Sequence, residues 1–588
     1  MKVSFGLPLA VLALTVAPLA AQERGRVGAD YNQGQAREIL DKTQTIRLAP
    51  DLGHFTPAER QAIAKLLEVG AIFQTVYEDQ RHAAAAAARA NLPRTGDLAT
   101  LYRLFQGPIA TTLDNRREAF MPAAEAPPGK NVYPRDLTRA ELDAFLAAHP
   151  GERAALSGPL SVVRRADRSL RADIAALERH PVLDALHPGL RARLGILIAR
   201  PDRSFLIAVP YSVAYADRMV RAHGLLNEAA DLVQSSDSEF AGYLRNRARD
   251  LLSDDYESGD AAWVTGRFRN LNAQIGAYET YDDELLGTRA FYSFSLLAVR
   301  AEETAAIRGG MQGLQAVEDT LPYDRHKRIR EDIPVGAYDV IADFGQSRGG
   351  NTASILPNEA LYARRYGRTI LLRANIMRSP EIFGGGSATW SAVVAPEFAS
   401  HLTADSTFHR TLWHEVGHYL GVDRTADGRD LDAALGANGN LIEEMKADLV
   451  SLFAGEELRR RGYFTDDQLR SHYAAGIFRT LQNVKPRRDQ PYQTMQLMQM
   501  NWFLDRGVLR FDAGTGRLSI DYGRYRAAVT ALLREVLALQ DRGDERAADA
   551  FITRWSQWDE GVHGRLATAM RAQQRYRYRL FTYAAIDG

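Results

Sequence analysis

"FHRTLWHEVGHYLGVD" (408–423) places His414 and His418 four residues apart, with Glu415 directly after the first histidine. On a helix, positions i and i+4 share a face, so the two imidazoles can meet one metal ion. Glu415 lies one step round the helix. From there its carboxylate reaches a water on the metal without binding the metal itself, as a general base must. Two histidines do not complete a site, and the third ligand decides its type. A continuation of the form HExxHxxGxxH finds Gly421 in place but ends on Arg424, a cation that does not bind zinc.

A carboxylate on a later helix is the other source. After a Gly/Asp/Asn-rich loop (421–440) comes "NGNLIEEMKADLVSLFAG" (438–455), in which Asn440 is expected to cap the helix and Glu443 stands three residues on, in capping-box position. Glu444 and Asp448 stand i,i+4 on one face. ExxxD downstream of HExxH is the gluzincin arrangement. It predicts one Zn²⁺ per chain held by His414, His418 and Glu444. Asp448 and Glu443 are the carboxylates expected behind the ligands, and Asp448 accepts a hydrogen bond from a ligand imidazole. His401 and His409 lie near the motif, but His409 is five residues before His414 and faces elsewhere; both read as structural or surface groups.

The rest of the chain narrows the class. It has 588 residues, 46% hydrophobic and 25% charged, enough for several domains or one enzyme of two lobes. Lys+Arg and Asp+Glu each number 73, and no polybasic run occurs, so nothing points to nucleic acid. There is no cysteine, which excludes thiol nucleophiles, Cys-ligated zinc and iron–sulfur clusters. "MKVSFGLPLAVLALTVAPLAAQ" has a short positive start, an apolar run and small residues before a polar one, the layout of a cleaved leader over residues 1–21. An exported protein, periplasmic or secreted, is expected, without stable membrane insertion after cleavage.

Residues 22–330 read as mainly helical, with helices entered at Thr56-Pro57 and Thr138. Residues 331–404 read as β-rich: "AYDVIADF" (337–344), "TASIL" (352–356), "GRTILLRANI" (367–376) and "ATWSAVVA" (388–395) are short, β-branched and bounded by turn residues. Residues 405–588 return to helix and carry the zinc motifs. Near "FGGGSATWSAVVA" (383–395) an exposed strand is expected that pairs with an extended peptide, the three glycines allowing close approach.

With "HEVGH" and "EEMKAD" in place, the chain resembles the dipeptidyl-peptidase III family of zinc exopeptidases, in the shorter HExxH form. "IGAYETYDDELLGTRAFYSFSLLAVRAEE" (275–303) is similar to the family's ETY-x-D segment and the helix after it. The resemblance implies substrate-binding roles for Glu279 and Tyr281. "RANIMR" (373–378) resembles the family's Asn-Ile-x-Asn strand, with Asn375 at the first asparagine and Arg378 at the second. Fifteen residues before Gly507, where the family has a histidine, stands Tyr492, whose hydroxyl is a candidate donor to an oxyanion. The specific motifs span roughly 265–510. The resemblance implies an α+β, mostly helical fold: two lobes around a wide cleft, a helical zinc lobe and a mixed lobe with a small β-barrel. It also implies hydrolysis of oligopeptides with release of dipeptides from the N-terminus. The alternatives are a zinc hydrolase of a small-molecule amide, ester or lactone, and a peptide-binding protein without turnover.

Overall fold

The computed structural model describes residues 33–329 and 333–587; the leader expected at 1–21 lies outside the described residues. Strand β1 (Thr43–Leu48) leads into helix α1 (Pro57–Arg81). The start of α1 is the predicted one. The Thr56 hydroxyl accepts from Glu59 N at 3.2 Å, and the Glu59 carboxylate accepts from Thr56 N at 2.8 Å, a reciprocal box with Pro57 in the first turn. Helices α2 (Ala216–Val233) and α3 (Ser238–Ser253) share one apolar core with α1, built on Leu66, Phe73, Leu225, Ala229 and Leu244.

The region read as mainly helical also holds several strands, among them β2 (Leu271–Glu279) and β3 (Phe291–Val299). Eight of the nine residues in each are buried, so both faces are covered and the period-two alternation that marks a half-exposed strand is missing. The segment after the ETY motif, expected as a helix, is therefore strand β3, and the helix begins only at α4 (Ala301–Met311).

Strands β4 (Val335–Gly345), β5 (Ala353–Leu356) and β6 (Thr369–Arg373) confirm three of the four stretches read as strands. The sheet order is β2–β3–β4–β6–β5, antiparallel except for the β4–β6 pair. The small barrel is thus an open five-stranded sheet curled into half a barrel. The fourth stretch is a correction: 388–395 falls mostly within helix α5 (Pro380–Val393), so no exposed strand is there to receive a peptide. Ser379 caps this helix with Pro380 at its first position, and the buried Trp390 and Val393 are three apart, a helical spacing that outweighs the β-branched composition.

From residue 404 the second lobe is helical: α6 (Ala404–Gly417), α7 (Gly439–Arg460), α8 (Asp466–Thr480), α9 (Pro491–Asp505) and α10 (Tyr522–Arg542). Leu412, Met445, Leu449, Met495 and Leu532 lie in its core. Strand β7 (Tyr578–Tyr583) then returns to the first core, pairing in parallel with β1. Strand β6 joins the lobes, with Leu371 in the first core and Ile370 and Leu372 in the second. Among the described residues, no helix is long and apolar enough to cross a membrane.

Candidate metal centre and active site

A capping box between Thr403 and Ser406 starts α6, and its last turn buries Trp413, His414, Glu415 and Val416. His418 sits at the C-cap, and the His414 and His418 rings are 5.0 Å apart at 86°. Helix α7 crosses α6 closely because Gly417 has no side chain: a Cβ there would stand 2.5 Å from the Ala447 carbonyl oxygen. The crossing delivers Glu444. Its Oε2 lies 3.2 Å from His414 Nε2 and 3.7 Å from His418 Nε2, and the three side chains offer ligand atoms within 4.8 Å of one another.

Each imidazole is held from behind. His414 Nδ1 donates to Asp448 Oδ1 at 2.6 Å, and His418 Nδ1 donates to Glu443 Oε1 at 2.9 Å. Both Nε2 atoms are thereby turned toward Glu444. His418 Nε2 and Glu444 Oε2 are buried without a hydrogen bond. Buried polar atoms are normally paired, so convergent unpaired ones on a His₂Glu set fit a zinc ion. Asp448 also pairs with Arg410, accepts from Gln499 Nε2 at 3.1 Å and lies 3.4 Å from Arg479 Nε. Burial alone would raise its carboxyl, but these cations hold it well below the usual carboxylate range. Burial opposes a charged His414; Asp448 and Glu444 outweigh it and lift that imidazole to about 9, so binding a metal at Nε2 releases a proton.

Glu443 is not in a capping box. Helix α7 begins at Gly439, so Asn440 is inside it, and Asn438 at the cap position makes no side-chain cap bond because its amide is paired with Arg488 and the Glu545 carbonyl. Glu443 faces the other way, to His418, Lys446 at 2.9 Å and Gln540 at 2.9 Å.

Glu415 is 3% exposed, with Oε2 unpaired. Burial raises its carboxyl, against the pull of His414 and His418. The Tyr492 hydroxyl donates to Glu444 Oε1 at 2.6 Å, so this tyrosine holds the oxygen of Glu444 that does not face the histidines. Burial and the neighbouring Glu444 carboxylate keep its phenol protonated.

Glu279 ends β2 just after a bulge that leaves Tyr278 unmatched against β3. Burial raises its carboxyl, and the Tyr281 and Asn358 side chains hydrogen-bond to it. The loop behind it is anchored by three successive acids. Asp282 accepts from Tyr77 and Gln346, and Glu284 pairs with Arg117 and Lys130. Asp283 accepts four backbone N–H groups (285, 286, 288 and 289) and the Tyr133 hydroxyl. This frame leaves Tyr281 58% exposed on the surface. Asn375 bonds both backbone groups of Val340, N–H at 2.9 Å and C=O at 3.0 Å. Arg378 pairs with Glu303 and Asp405 and stacks on Phe408, so its charge is already met.

His401 packs against Phe398 and Tyr522. His409 sits among Phe408, Tyr463 and Phe464, lowered to about 4 chiefly by burial. It lines a surface cavity of about 580 Å³ with Glu303, Arg461 and Tyr463, to which none of His414, His418 and Glu444 contributes. The sequence reading missed Arg410, Gly417, Lys446, Gln499 and Gln540. Spacing could have found three of them: Arg410, His414 and His418 share one helical face, Lys446 is three residues past Glu443, and Gln499 is seven past Tyr492.

No family model matches the chain. A curated relative, Nudix hydrolase 3 from Arabidopsis thaliana, is 26% identical over 462 residues, covering 76% of this chain and 56% of that protein. The chain thus spans little more than half the length of that relative. Two solved structures share the fold. Dipeptidyl-peptidase III from Caldithrix abyssi superposes with a TM-score of 0.77 at 22% identity, covering 93% of this chain and 98% of the other. Dipeptidyl-peptidase III from Corallococcus sp. strain EGB gives 0.69 at 22% identity, with 93% and 97% covered. The resemblance read from the motifs therefore extends, in fold, over nearly the whole chain.

Proposed function

We propose that this protein is a zinc-dependent metallopeptidase that releases dipeptides from the N-terminus of oligopeptides. One observation carries the reading: His414, His418 and Glu444 converge, each imidazole backed by its own carboxylate, beside a buried Glu415 with an unpaired oxygen. The shared fold of the two dipeptidyl-peptidase III structures supports it.

A zinc ion in this site supplies Lewis acidity, which acidifies water and polarises a carbonyl oxygen. Glu415 takes a proton from the attacking water and returns it to the leaving amine; its raised carboxyl brings it closer to the operating pH. Asp448 and Glu443 hold the Nδ1 protons and so fix both ring orientations. Tyr492 orients Glu444 with its single hydroxyl proton, and it steadies negative charge on the reacting oxygen only by turning that proton away from Glu444 Oε1. At the peptide N-terminus, Glu279 accepts from the free ammonium, with Tyr281 beside it. Asn375 is held by Val340, and each of its amide atoms keeps capacity for a second hydrogen bond. The engagement of Arg378 with Glu303 and Asp405 removes its repulsion of a substrate cation. The N-terminal leader pattern supports export to the periplasm or beyond, which mass spectrometry of the mature N-terminus tests.

The decisive experiment pairs zinc content with hydrolysis of one peptide, offered with a free and with an acetylated N-terminus. One zinc per chain and cleavage two residues into the free peptide alone are expected. Glu415→Gln keeps the zinc and loses at least about 100-fold in rate, the scale of a general base. Cleavage of both peptides would remove the N-terminal anchor, and zinc without cleavage of either would remove the peptidase.

A further inference from the structure

Helix α6 stops at Gly417, immediately before the second histidine ligand. The last carbonyls of a helix lose their regular partners; here Tyr419 N closes on Val416 O at 3.0 Å and Leu420 N on Gly417 O at a long 3.3 Å. Into this helix end reaches one side chain from α7, Lys446, which is 1% exposed. Its ammonium donates to the carbonyls of Gly417 at 3.0 Å and Leu420 at 2.8 Å, with His418 O at 3.4 Å. The same nitrogen is 2.9 Å from Glu443 Oε1, the oxygen that receives the His418 Nδ1 proton. The chain reverses around the lysine stem through Gly421, at φ +79°, whose N–H donates to Glu318 at 2.8 Å. Charge favours the arrangement as well, because a cation at a helix C-terminus meets the negative end of the dipole.

A single cation thus touches His418 from both sides, through its backbone carbonyl and through the carboxylate that holds its ring. His414 needs no such help, being inside the helix with Asp448 behind it. His418 is at the C-cap, where the regular helix has ended and only the single turns closed by Tyr419 N and Leu420 N continue. We infer that Lys446 is a positioning residue for the metal site: it locks the end of α6 to α7 and thereby aims His418 Nε2 at the point where Glu444 and His414 converge. The inference rests on the metallopeptidase reading but concerns residues that touch neither substrate nor reacting atoms.

Lys446→Met keeps the stem and removes the charge; Lys446→Gln keeps a neutral donor. Val529→Ala, a cavity in the core of the same lobe, is the control for lost stability alone. Zinc dissociation constants by chelator competition, the visible spectrum of the cobalt-loaded protein and thermal melting are measured on all four chains. Lys446→Met is expected to weaken zinc about 10- to 100-fold, as losses behind a ligand do, and to alter the cobalt spectrum. Val529→Ala lowers the melting temperature and leaves both metal readouts unchanged. A folded Lys446→Met with wild-type zinc affinity and an unaltered cobalt spectrum overturns the inference. If the methionine variant does not fold, Lys446→Gln gives the answer: weaker zinc supports positioning, and equal affinity overturns it. Wild-type protein that binds no zinc overturns the metallopeptidase reading itself, a separate failure.

Discussion

Gly417→Ala is the smallest change that should dismantle the proposed metal centre. The added Cβ would stand 2.5 Å from the Ala447 carbonyl oxygen and 3.0 Å from the Ala447 Cα, both backbone atoms of α7. Ordinary contact begins at 3.4 Å, so α6 and α7 must part by about 0.9 Å at this crossing. No side chain can rotate away to relieve the clash. His414 and His418 belong to the α6 side of the crossing and Glu444 to α7, so the parting separates the ligands. Zinc sites hold their ligand distances to about 0.2 Å, several times less than the displacement. Zinc affinity should therefore fall by at least about 100-fold, beyond what a change behind a ligand costs. The overpacking should also lower stability by roughly 1–3 kcal/mol. Chelator competition gives the first number and urea unfolding of the metal-free chain the second. Gly417→Ala with wild-type zinc affinity would show that the crossing does not set the ligand geometry, and the argument would fail.

Two further substitutions probe buried charge. Asp448→Ala strands Arg410, itself 3% exposed, and should cost about 3–5 kcal/mol in denaturant unfolding besides weakening zinc; an unchanged midpoint would refute the assigned pairing. Asp254 lies far from the site in sequence, at the left-handed C-cap of α3, and is raised by burial to about 7 against the opposing bonds of Ser212. The folded chain holds this proton more tightly than the unfolded chain does. The resulting stabilisation is complete below about pH 4 and is lost as pH rises through about 7. Asp254→Asn, which stays neutral and tolerates the left-handed cap, should be more stable than wild type at pH 8 by up to a few kcal/mol; equal unfolding curves at pH 8 would refute the shift.

The candidate metal ligands were legible because each is fixed by short-range helical spacing. His414 and His418 are four apart, and Glu444 and Asp448 are four apart, so two local patterns name three ligands and one supporting carboxylate. Glu443 was legible as a carboxylate expected behind the ligands, and only the capping box read for it is absent. A capping box would need Asn440 outside α7 as its cap, and the structure has Asn440 inside a helix that starts at Gly439, so Glu443 bonds His418 instead. Strands β2 and β3 were hidden because burial on both faces erases the alternation that signals a strand, and β-branched 388–395 misled because a Ser-Pro cap and the Trp390–Val393 spacing favour helix.

The sequence by itself determined which side chains form the candidate metal site and which carboxylate stands beside it as the proposed base, since both depend on residue type and on offsets within a single helix. It also determined the Thr56 start of α1, where cap, proline and glutamate act within one turn. Only the tertiary structure decided how the two motif helices meet. Gly417 admits α7, Lys446 closes the end of α6, Arg410 and Gln499 surround Asp448, and Tyr492 reaches Glu444 rather than open space. These are contacts between residues 26 to 51 positions apart, set by the packing of α6, α7 and α9 within the helical lobe. No periodicity along the chain encodes them, because the energy that selects them comes from burying polar groups together.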